Sequence, residues 1–381
     1  MRIQQHPALH LTYCLNIHPG ETWAENLAAI REYAMAVKAR VAPDRPFGLG
    51  LRVGDRASES LADDGARRAA LDFFRSNQLY AYTVNGFPFG RFHGGPVKES
   101  VYQPDWRTAE RRDYTNRLAD ILALFLPEGV RGSISTVPCS FKPWIKNEAD
   151  VFLMMEQLLE CVAHCDRLLK EQGKEIGLAL EPEPGCYLES TAETTAFFKA
   201  LLRFAKDRRV GEEAVRRHLG VCIDTCHAAV QFEDLEEAIL HYVREGVRIP
   251  KIQLSAALET DTVETLSKFD EPVYLHQTTA RQRDGRIVRW NDLAGALAGA
   301  RDGDILRVHY HVPLFWEGEG GLRSTSSALT AGFFDLVKKG VTDHLEIETY
   351  TFTVLPEGLG GRGVVESVTR EYEWVEKALA R

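Results

Sequence analysis

The chain has 381 residues, of which 44% are hydrophobic and 27% charged, and this composition excludes fibrous, low-complexity and wholly disordered proteins. Its 46 basic and 55 acidic side chains give a formal net charge of -9, which argues against broad binding to nucleic acids or anionic membranes. No run approaches the ~18 consecutive apolar residues of a membrane span, and the N-terminal sequence lacks the layout of a signal peptide. We therefore expect a soluble, cytoplasmic protein.

Seven cysteines are scattered along the chain, and an odd number in a long chain argues against a secreted disulfide framework. Four of them form two Cys-x3-Cys pairs, Cys161 with Cys165 and Cys222 with Cys226. We expect reduced, buried thiols.

Short β-branched runs alternate with stretches of helical periodicity and no low-complexity linker interrupts them, which predicts one continuous α/β domain. The nine strand-like runs are 9–16, 47–53, 80–87, 132–138, 176–182, 219–225, 251–258, 305–314 and 344–352. A closed (β/α)8 barrel and an open doubly wound sheet both give this alternation, but no G-x-G-x-x-G follows the first strand, as a dinucleotide-binding sheet would require. Nine strands are one more than a barrel needs.

Capping boxes mark two of the helices. Thr22 with Glu25, and Ser190 with Glu193, each place a hydroxyl three residues before a glutamate at the start of an apolar periodic run. Further helices are predicted at 108–126, 148–172, 233–245, 325–339 and 371–380. Three long loops, 88–107, 259–304 and 315–324, follow strand ends, where barrel enzymes build their sites, so we expect lids or substrate walls there.

Polar side chains stand at the ends of five predicted strands. These residues are Glu181 and Glu183, Asp224 and His227, Gln253 and Ser255, His309 and His311, and Glu346 and Glu348. A single carboxylate after a strand commonly caps a helix, but a cluster of like charges at a barrel mouth is costly unless a cation or a shared proton neutralises it. Carboxylate oxygens mixed with imidazole nitrogens suit Mn²⁺, Mg²⁺, Co²⁺ or Zn²⁺.

Three motifs resemble a known superfamily. The segment G-V-C-I-D-T-C-H-A (220–228) resembles the sixth-strand signature of the xylose-isomerase-like TIM barrels, which include sugar isomerases and epimerases and the endonuclease IV type of repair nuclease. L-E-P (180–182) and L-E-I-E-T (345–349) are similar to its fifth-strand and eighth-strand Glu motifs. The resemblance implies that residues 1–381 form a single (β/α)8 TIM barrel, with long loops on its C-terminal face and a strand-containing insertion at about 259–314, before the last βα unit.

The resemblance also implies metal ligands. In that family a Glu, an Asp, a His and a Glu on strands five to eight hold one divalent metal, and Glu348 matches the last position better than Glu346. Gln253 stands where the family has His, and the x-H-x-H spacing of R-V-H-Y-H-V-P is similar to a ligand pair of nuclease-type members. The implied metal-ligand candidates are Glu181, Asp224, Gln253, His309, His311 and Glu348. Alternatively, 305–314 is itself the seventh barrel strand, and one earlier run lies outside the barrel.

Roles in catalysis follow from the same resemblance. Glu181 and Glu348 would move a proton at a carbon next to a carbonyl, while the metal neutralises the developing charge. The implied substrate-binding candidates are His227, His18, Asn85 and Glu183. Aromatic side chains in the long loops, such as Trp106 and Trp316, suit either aromatic pocket walls or a homo-oligomer contact.

A narrower resemblance covers most of the chain. H-L-T-Y-C-L-N-I-H-P-G-E-T-W, T-V-N-G-F-P-F-G, Y-L-H-Q, H-Y-H-V-P-L-F and L-E-I-E-T-Y-T-F look like the EboE-type metabolite traffic proteins. This implies handling of a small metabolite, with other Ebo-type proteins as partners, by an isomerase-like enzyme or by a non-catalytic metabolite-binding barrel. A nuclease of the endonuclease IV type is disfavoured, because strands three and four end in Asn85 and in 136–138, without the histidines of a trinuclear zinc site.

Overall fold

Eight parallel strands form the central barrel of the computed structural model, which describes residues 1–353 and 363–381. The strands are β1 (Arg2–Gln4), β2 (Leu9–Tyr13), β3 (Phe47–Arg52), β4 (Leu79–Asn85), β5 (Gly132–Thr136), β6 (Ile176–Leu180), β7 (Leu219–Asp224), β8 (Arg248–Leu254), β9 (Ala256–Thr260), β10 (Thr278–Arg281), β11 (Ile287–Trp290), β12 (Ile305–Val312), β13 (Gly318–Glu319), β14 (Leu322–Ser324) and β15 (His344–Ile347). The first sheet has the order β1-β2-β15-β8-β7-β6-β5-β4-β3, and a parallel bridge between Cys14 and Gly50 joins its two ends. The predicted TIM barrel is confirmed.

Helices follow most barrel strands and cover the outside of the barrel. They are α1 (Trp23–Ala29), α2 (Met35–Val41), α3 (Asp55–Ser60), α4 (Asp64–Ser76), α5 (Ala109–Phe125), α6 (Glu148–Gln172), α7 (Thr191–Asp207), α8 (Glu212–His218), α9 (Thr225–Val230), α10 (Leu235–Arg244), α11 (Leu293–Gly299), α12 (Ala331–Lys338) and α13 (Val364–Leu379). Thr22 and Glu25 form the predicted capping box of α1, and Ser190 caps α7 by accepting from the Glu193 amide. No helix within the described ranges is long and apolar enough to cross a membrane.

A second, antiparallel sheet lies in the insertion. Its order is β11-β10-β12-β9-β14-β13, so the predicted strand 305–314 belongs to this sheet as β12. The insertion before the last βα unit is therefore confirmed, and the alternative that places 305–314 in the barrel is wrong. The predicted strand 251–258 is divided at Ser255, whose side chain and amide bond to residues at the end of β7, so the chain leaves the barrel there.

The barrel interior contains a buried ion pair. Lys251 Nζ lies 2.5 Å from Glu346 Oε2 and 3.1 Å from Ser135 Oγ, and both charged side chains are inaccessible to solvent. Glycine is required at position 50 on β3, because a Cβ atom there would overlap the Glu346 carboxylate. Glu346 is thus a structural residue below the barrel mouth, whereas Glu348 on the same face reaches the mouth.

Helix α13 begins at Val364, seven residues before the predicted helix 371–380, and it carries a buried acid. Glu371 accepts hydrogen bonds from Thr349 Oγ1 at 2.7 Å and from the Leu314 amide at 3.1 Å, while its second oxygen has no partner. Burial raises the pKa of Glu371 from 4.5 to about 7. The seven cysteines are also buried, and none is in a disulfide, as expected.

We expect Glu371→Gln to change the pH dependence of stability. The folded protein holds the Glu371 proton more tightly than the unfolded chain does, so this residue costs stability as the pH rises from 4.5 through about 7. Relative to wild type, the free energy of unfolding of the variant should rise by about 2–3 kcal/mol between pH 5 and pH 8, because glutamine does not ionise. Urea unfolding at both pH values measures this, with the exposed Glu373→Gln as control; an equal difference at both pH values would contradict it.

Candidate active site

A cavity of about 530 Å³ lies at the C-terminal mouth of the barrel. Three buried carboxylates come from the ends of three barrel strands: Glu181 follows β6, Asp224 ends β7 and Glu348 follows β15. Glu181 and Glu348 line the cavity. Parallel strands end at one rim of a barrel, so the topology itself brings these residues together.

The three carboxylates form a tight cluster, in which one oxygen of each lies within 4.8 Å of the others. Burial raises the pKa values of Glu181 and Glu348 well above their ordinary range, and the negative charges of the neighbouring carboxylates add to this rise. These carboxyl groups therefore resist ionising together unless a cation is present.

Asp224 is the best-anchored member of the cluster. Its Oδ1 accepts hydrogen bonds from the His227 amide at 2.9 Å and from Ser255 Oγ at 2.7 Å, so it caps α9, whereas its Oδ2 has no partner. Burial alone would raise the pKa of Asp224, but neighbouring imidazoles and these hydrogen bonds lower it. His227, which the sequence suggests lies in a loop, is on α9.

Three buried histidines point their Nε2 atoms toward the cluster. His227 Nδ1 donates to the Pro182 carbonyl at 3.0 Å. His309 Nδ1 donates to Gln277 Oε1, and His311 Nδ1 donates to the Glu348 carbonyl, both at 2.6 Å. In a neutral ring of this orientation Nε2 is the unprotonated nitrogen, because a neutral imidazole carries one proton. Burial lowers the pKa of His309 well below its ordinary value and that of His311 to about 4, so both rings are neutral at pH 7.

These nitrogens are arranged as metal ligands usually are. His227 Nε2 lies 3.1 Å from His309 Nε2, and His311 Nε2 has no hydrogen-bond partner among the described residues. Asp224, His227 and His311 form a second group whose ligand atoms lie within 4.8 Å, sharing Asp224 with the carboxylate cluster. Metal-binding histidines typically donate their other nitrogen to an oxygen, as these do.

Three potential ligand atoms lack hydrogen-bond partners among the described residues, as expected for a site that binds a cation. Glu181 Oε2, Asp224 Oδ2 and His311 Nε2 are buried and have no hydrogen-bond partner in the part of the chain that the structure describes. Buried acceptors without donors cost free energy, and a divalent cation satisfies them. A mixed oxygen and nitrogen set of this kind suits the divalent metals Mn²⁺, Co²⁺ and Zn²⁺.

Gln253 lies in the barrel beneath Glu348. Its amide nitrogen donates to Glu348 Oε2, and its Oε1 accepts a hydrogen bond from Cys222 Sγ at 2.9 Å. Glu348 Oε1 accepts from Asn16 Nδ2 at 2.6 Å and from Asn85 Nδ2 at 2.9 Å. Three side-chain amides therefore hold both oxygens of this carboxylate.

The remaining sequence candidates divide between the cavity and its surroundings. Asn85 and Glu183 line the cavity, as do His227 and His309. Glu183 Oε1 accepts from Tyr102 Oη at 2.7 Å. His18 is not among the described residues that line the cavity; its Nε2 bonds to Tyr13 Oη at 2.9 Å.

Sequence reasoning missed several residues that shape the site. Asn16 follows β2 in a short 3₁₀ helix, and Gln277 in the insertion orients His309, Glu183 and Tyr102 through its amide. Gln277 lies in the Y-L-H-Q motif, but nothing in that motif says that the insertion folds back over the mouth. Tyr350, directly after the L-E-I-E-T motif, also lines the cavity.

Comparisons with solved structures agree with this architecture. Similar structures are a xylose isomerase-like TIM barrel protein from Mycobacterium smegmatis in complex with magnesium (TM-score 0.54, 11% identity, 97% of this chain and 96% of that chain) and the IolI protein with a zinc atom (0.51, 11%, 98% and 98%). An L-ribulose 3-epimerase matches with a TM-score of 0.51 at 11% identity, over 97% of this chain and 94% of that one. No protein-family sequence profile matches the chain, and no curated protein matches it in sequence. The chain therefore has the fold of the xylose isomerase-like TIM barrels.

Proposed function

We propose that this protein is a divalent-metal-dependent isomerase or epimerase that acts on a small polyhydroxy or carbonyl metabolite. The observation that carries the proposal is the convergence of three buried carboxylates and three buried imidazoles at one barrel mouth, with ligand atoms beside a cavity that lack hydrogen-bond partners among the described residues. Like charges at such a position are costly without a counter-ion.

Asp224 is the central ligand in this proposal, because it belongs to two of the three candidate ligand groups and joins the carboxylates to the histidines; the third group is Cys226, His309 and His311. His227 and His311 complete one group, Glu181 and Glu348 complete the other, and His309 adjoins His227. Gln253 acts through Glu348, since both ends of its amide already have partners. When bound, the cation would neutralise the negative charge that develops on a substrate carbonyl oxygen as the neighbouring carbon loses a proton.

Glu181 is the residue best suited to move that proton. It lines the cavity, and its Oε2 has no hydrogen-bond partner among the described residues, so with one oxygen on the cation the other would face the substrate. Glu348 faces the same cavity, but three amides hold its carboxylate in place. We infer that Glu181 transfers the proton, while Glu348 positions the substrate on the opposite side.

The test is exchange of a carbon-bound proton with solvent. Mn²⁺-loaded protein is incubated in D₂O with a panel of ketoses, aldoses and α-hydroxy ketones, and NMR follows the loss of the proton signal. We expect Glu181→Gln to slow exchange by about 10²- to 10⁴-fold while Mn²⁺ still binds. The exposed Glu128→Gln, just before β5 at the opposite end of the barrel, is the control. Equal rates in wild type and Glu181→Gln would contradict this role.

A second candidate function is binding and handover of a metabolite without turnover. It is favoured by the Gln253 amide, which stands at the position of a family ligand and is engaged with Glu348 and Cys222. Ligand binding without proton exchange in the same assay would support it. The EboE-type resemblance is compatible with both candidate functions. In both, the protein would handle a specialised metabolite, as substrate or as cargo, and other Ebo-type proteins would be its partners.

A further inference from the structure

The outer half of the cavity is apolar and aromatic. Phe92, Val97, Tyr274 and Tyr350, which we call the apolar collar, line it, and each is at most 8% exposed. The Tyr274 and Tyr350 rings lie 5.0 Å apart, and Phe92 lies 5.2 and 5.5 Å from them. Such spacing is typical of packed aromatic side chains.

Three separate segments build this collar. Phe92 and Val97 lie in the long loop after β4, Tyr274 lies in the insertion, and Tyr350 follows β15. The Val97 amide donates to the Val273 carbonyl at 2.7 Å, and Lys98 Nζ lies 2.7 Å from Asp292 Oδ2. The loop and the insertion are thus fastened to each other, so the collar is a fixed wall above the polar floor.

The charges around the cavity disfavour a phosphate. Among the described residues that line it, Lys98 has the only ammonium group, and there is no arginine. That ammonium is already paired with Asp292, while Glu181, Glu183 and Glu348 face the same space. A phosphate here would lack an available cationic side chain and would be repelled by carboxylates.

We propose that the substrate has an oxygen-bearing head and an apolar body about the size of an aromatic ring, and that it carries no phosphate. This inference rests on the proposed function, because the head is what the metal and the carboxylates would hold. The apolar body would lie within the collar, next to the carboxylates that line the same cavity.

Three probes with one head group test this inference. Mn²⁺-loaded protein is titrated calorimetrically with hydroxyacetone, α-hydroxyacetophenone and dihydroxyacetone phosphate, which differ in a methyl, a phenyl or a phosphate-bearing substituent on the same α-hydroxy ketone. We expect α-hydroxyacetophenone to bind at least about tenfold more tightly than hydroxyacetone, because the collar buries the phenyl ring. Dihydroxyacetone phosphate should bind no more tightly than hydroxyacetone.

Phe92→Ala should reduce the preference for the phenyl compound to below about threefold, because it removes part of the wall that buries the ring. Phe152→Ala, a half-exposed phenylalanine on α6, should leave the preference unchanged. Equal binding of the two neutral probes, tighter binding of the phosphate or no binding of any probe would overturn the inference. Proton exchange without a phenyl preference would contradict only the role of the apolar collar in binding the substrate. A phenyl preference without proton exchange would contradict only the proposed reaction.

Discussion

Replacing Asp224 with Asn is expected to lower the affinity of the protein for Mn²⁺ by on the order of 100-fold or more. Asn keeps an oxygen that caps α9 and accepts from Ser255, since Asn is also a good N-cap residue. It loses the negative charge and replaces the orphaned Oδ2 with an amide nitrogen that does not bind a cation. Isothermal titration with Mn²⁺ measures the affinity.

The same variant should fold at least as stably as wild type without metal. Removing one charge relieves the repulsion among Glu181, Asp224 and Glu348, whose oxygens lie within 4.8 Å of one another. Asp44→Asn, on the exposed surface, is the control and should bind Mn²⁺ as wild type does. An Asp224→Asn protein that is folded and still binds Mn²⁺ with unchanged affinity would refute Asp224 as the shared ligand.

Lys251→Met is expected to reduce the free energy of unfolding by about 3–5 kcal/mol, because it leaves the Glu346 carboxylate buried without a cation. Both side chains are inaccessible, and Lys251 Nζ lies 2.5 Å from the carboxylate. The burial of Glu346 already raises its pKa, although Lys251 opposes the rise. Urea unfolding followed by circular dichroism gives the change directly.

The double variant Lys251→Met, Glu346→Leu should recover most of this loss, since neither residue then buries an unpaired charge. Arg217→Met provides a contrast: Arg217 pairs with Glu213 on the surface, and its loss should cost less than about 1 kcal/mol. If the double variant is as unstable as Lys251→Met alone, the cost would come from packing rather than from the unpaired charge.

The strand-end motifs, through their resemblance to xylose-isomerase-like barrels, predicted the barrel, and the strand-end residues predicted that Glu181, Asp224 and Glu348 meet at its mouth. That prediction rests on one geometric rule, that parallel strands of a barrel end at a common rim. The same resemblance predicted that the strand-like run 305–314 lies in an insertion, and the structure confirms this. It did not predict the break at Ser255, because a short apolar run looks the same when it serves two different sheets.

The tertiary contacts that orient the site residues could not be predicted from the sequence. His311 donates to the Glu348 carbonyl, and Gln277 orients His309, only because the insertion folds back over the barrel mouth. Asn16 reaches Glu348 across 332 positions of sequence, and no local motif marks such a contact. The apolar collar likewise combines three segments. The aromatic residues of the long loops predicted a pocket wall, but the sequence did not predict where that wall lies.

The central claim is that a divalent cation binds to Asp224 at the barrel mouth. The most direct measurement is an anomalous difference map from crystals grown with Mn²⁺ and recorded where manganese scatters anomalously. The account predicts a peak about 2.0–2.2 Å from an Asp224 carboxylate oxygen, bounded by Glu181 and Glu348 or by His227 and His311. A well-ordered barrel with no peak in contact with Asp224 at millimolar Mn²⁺ would contradict it.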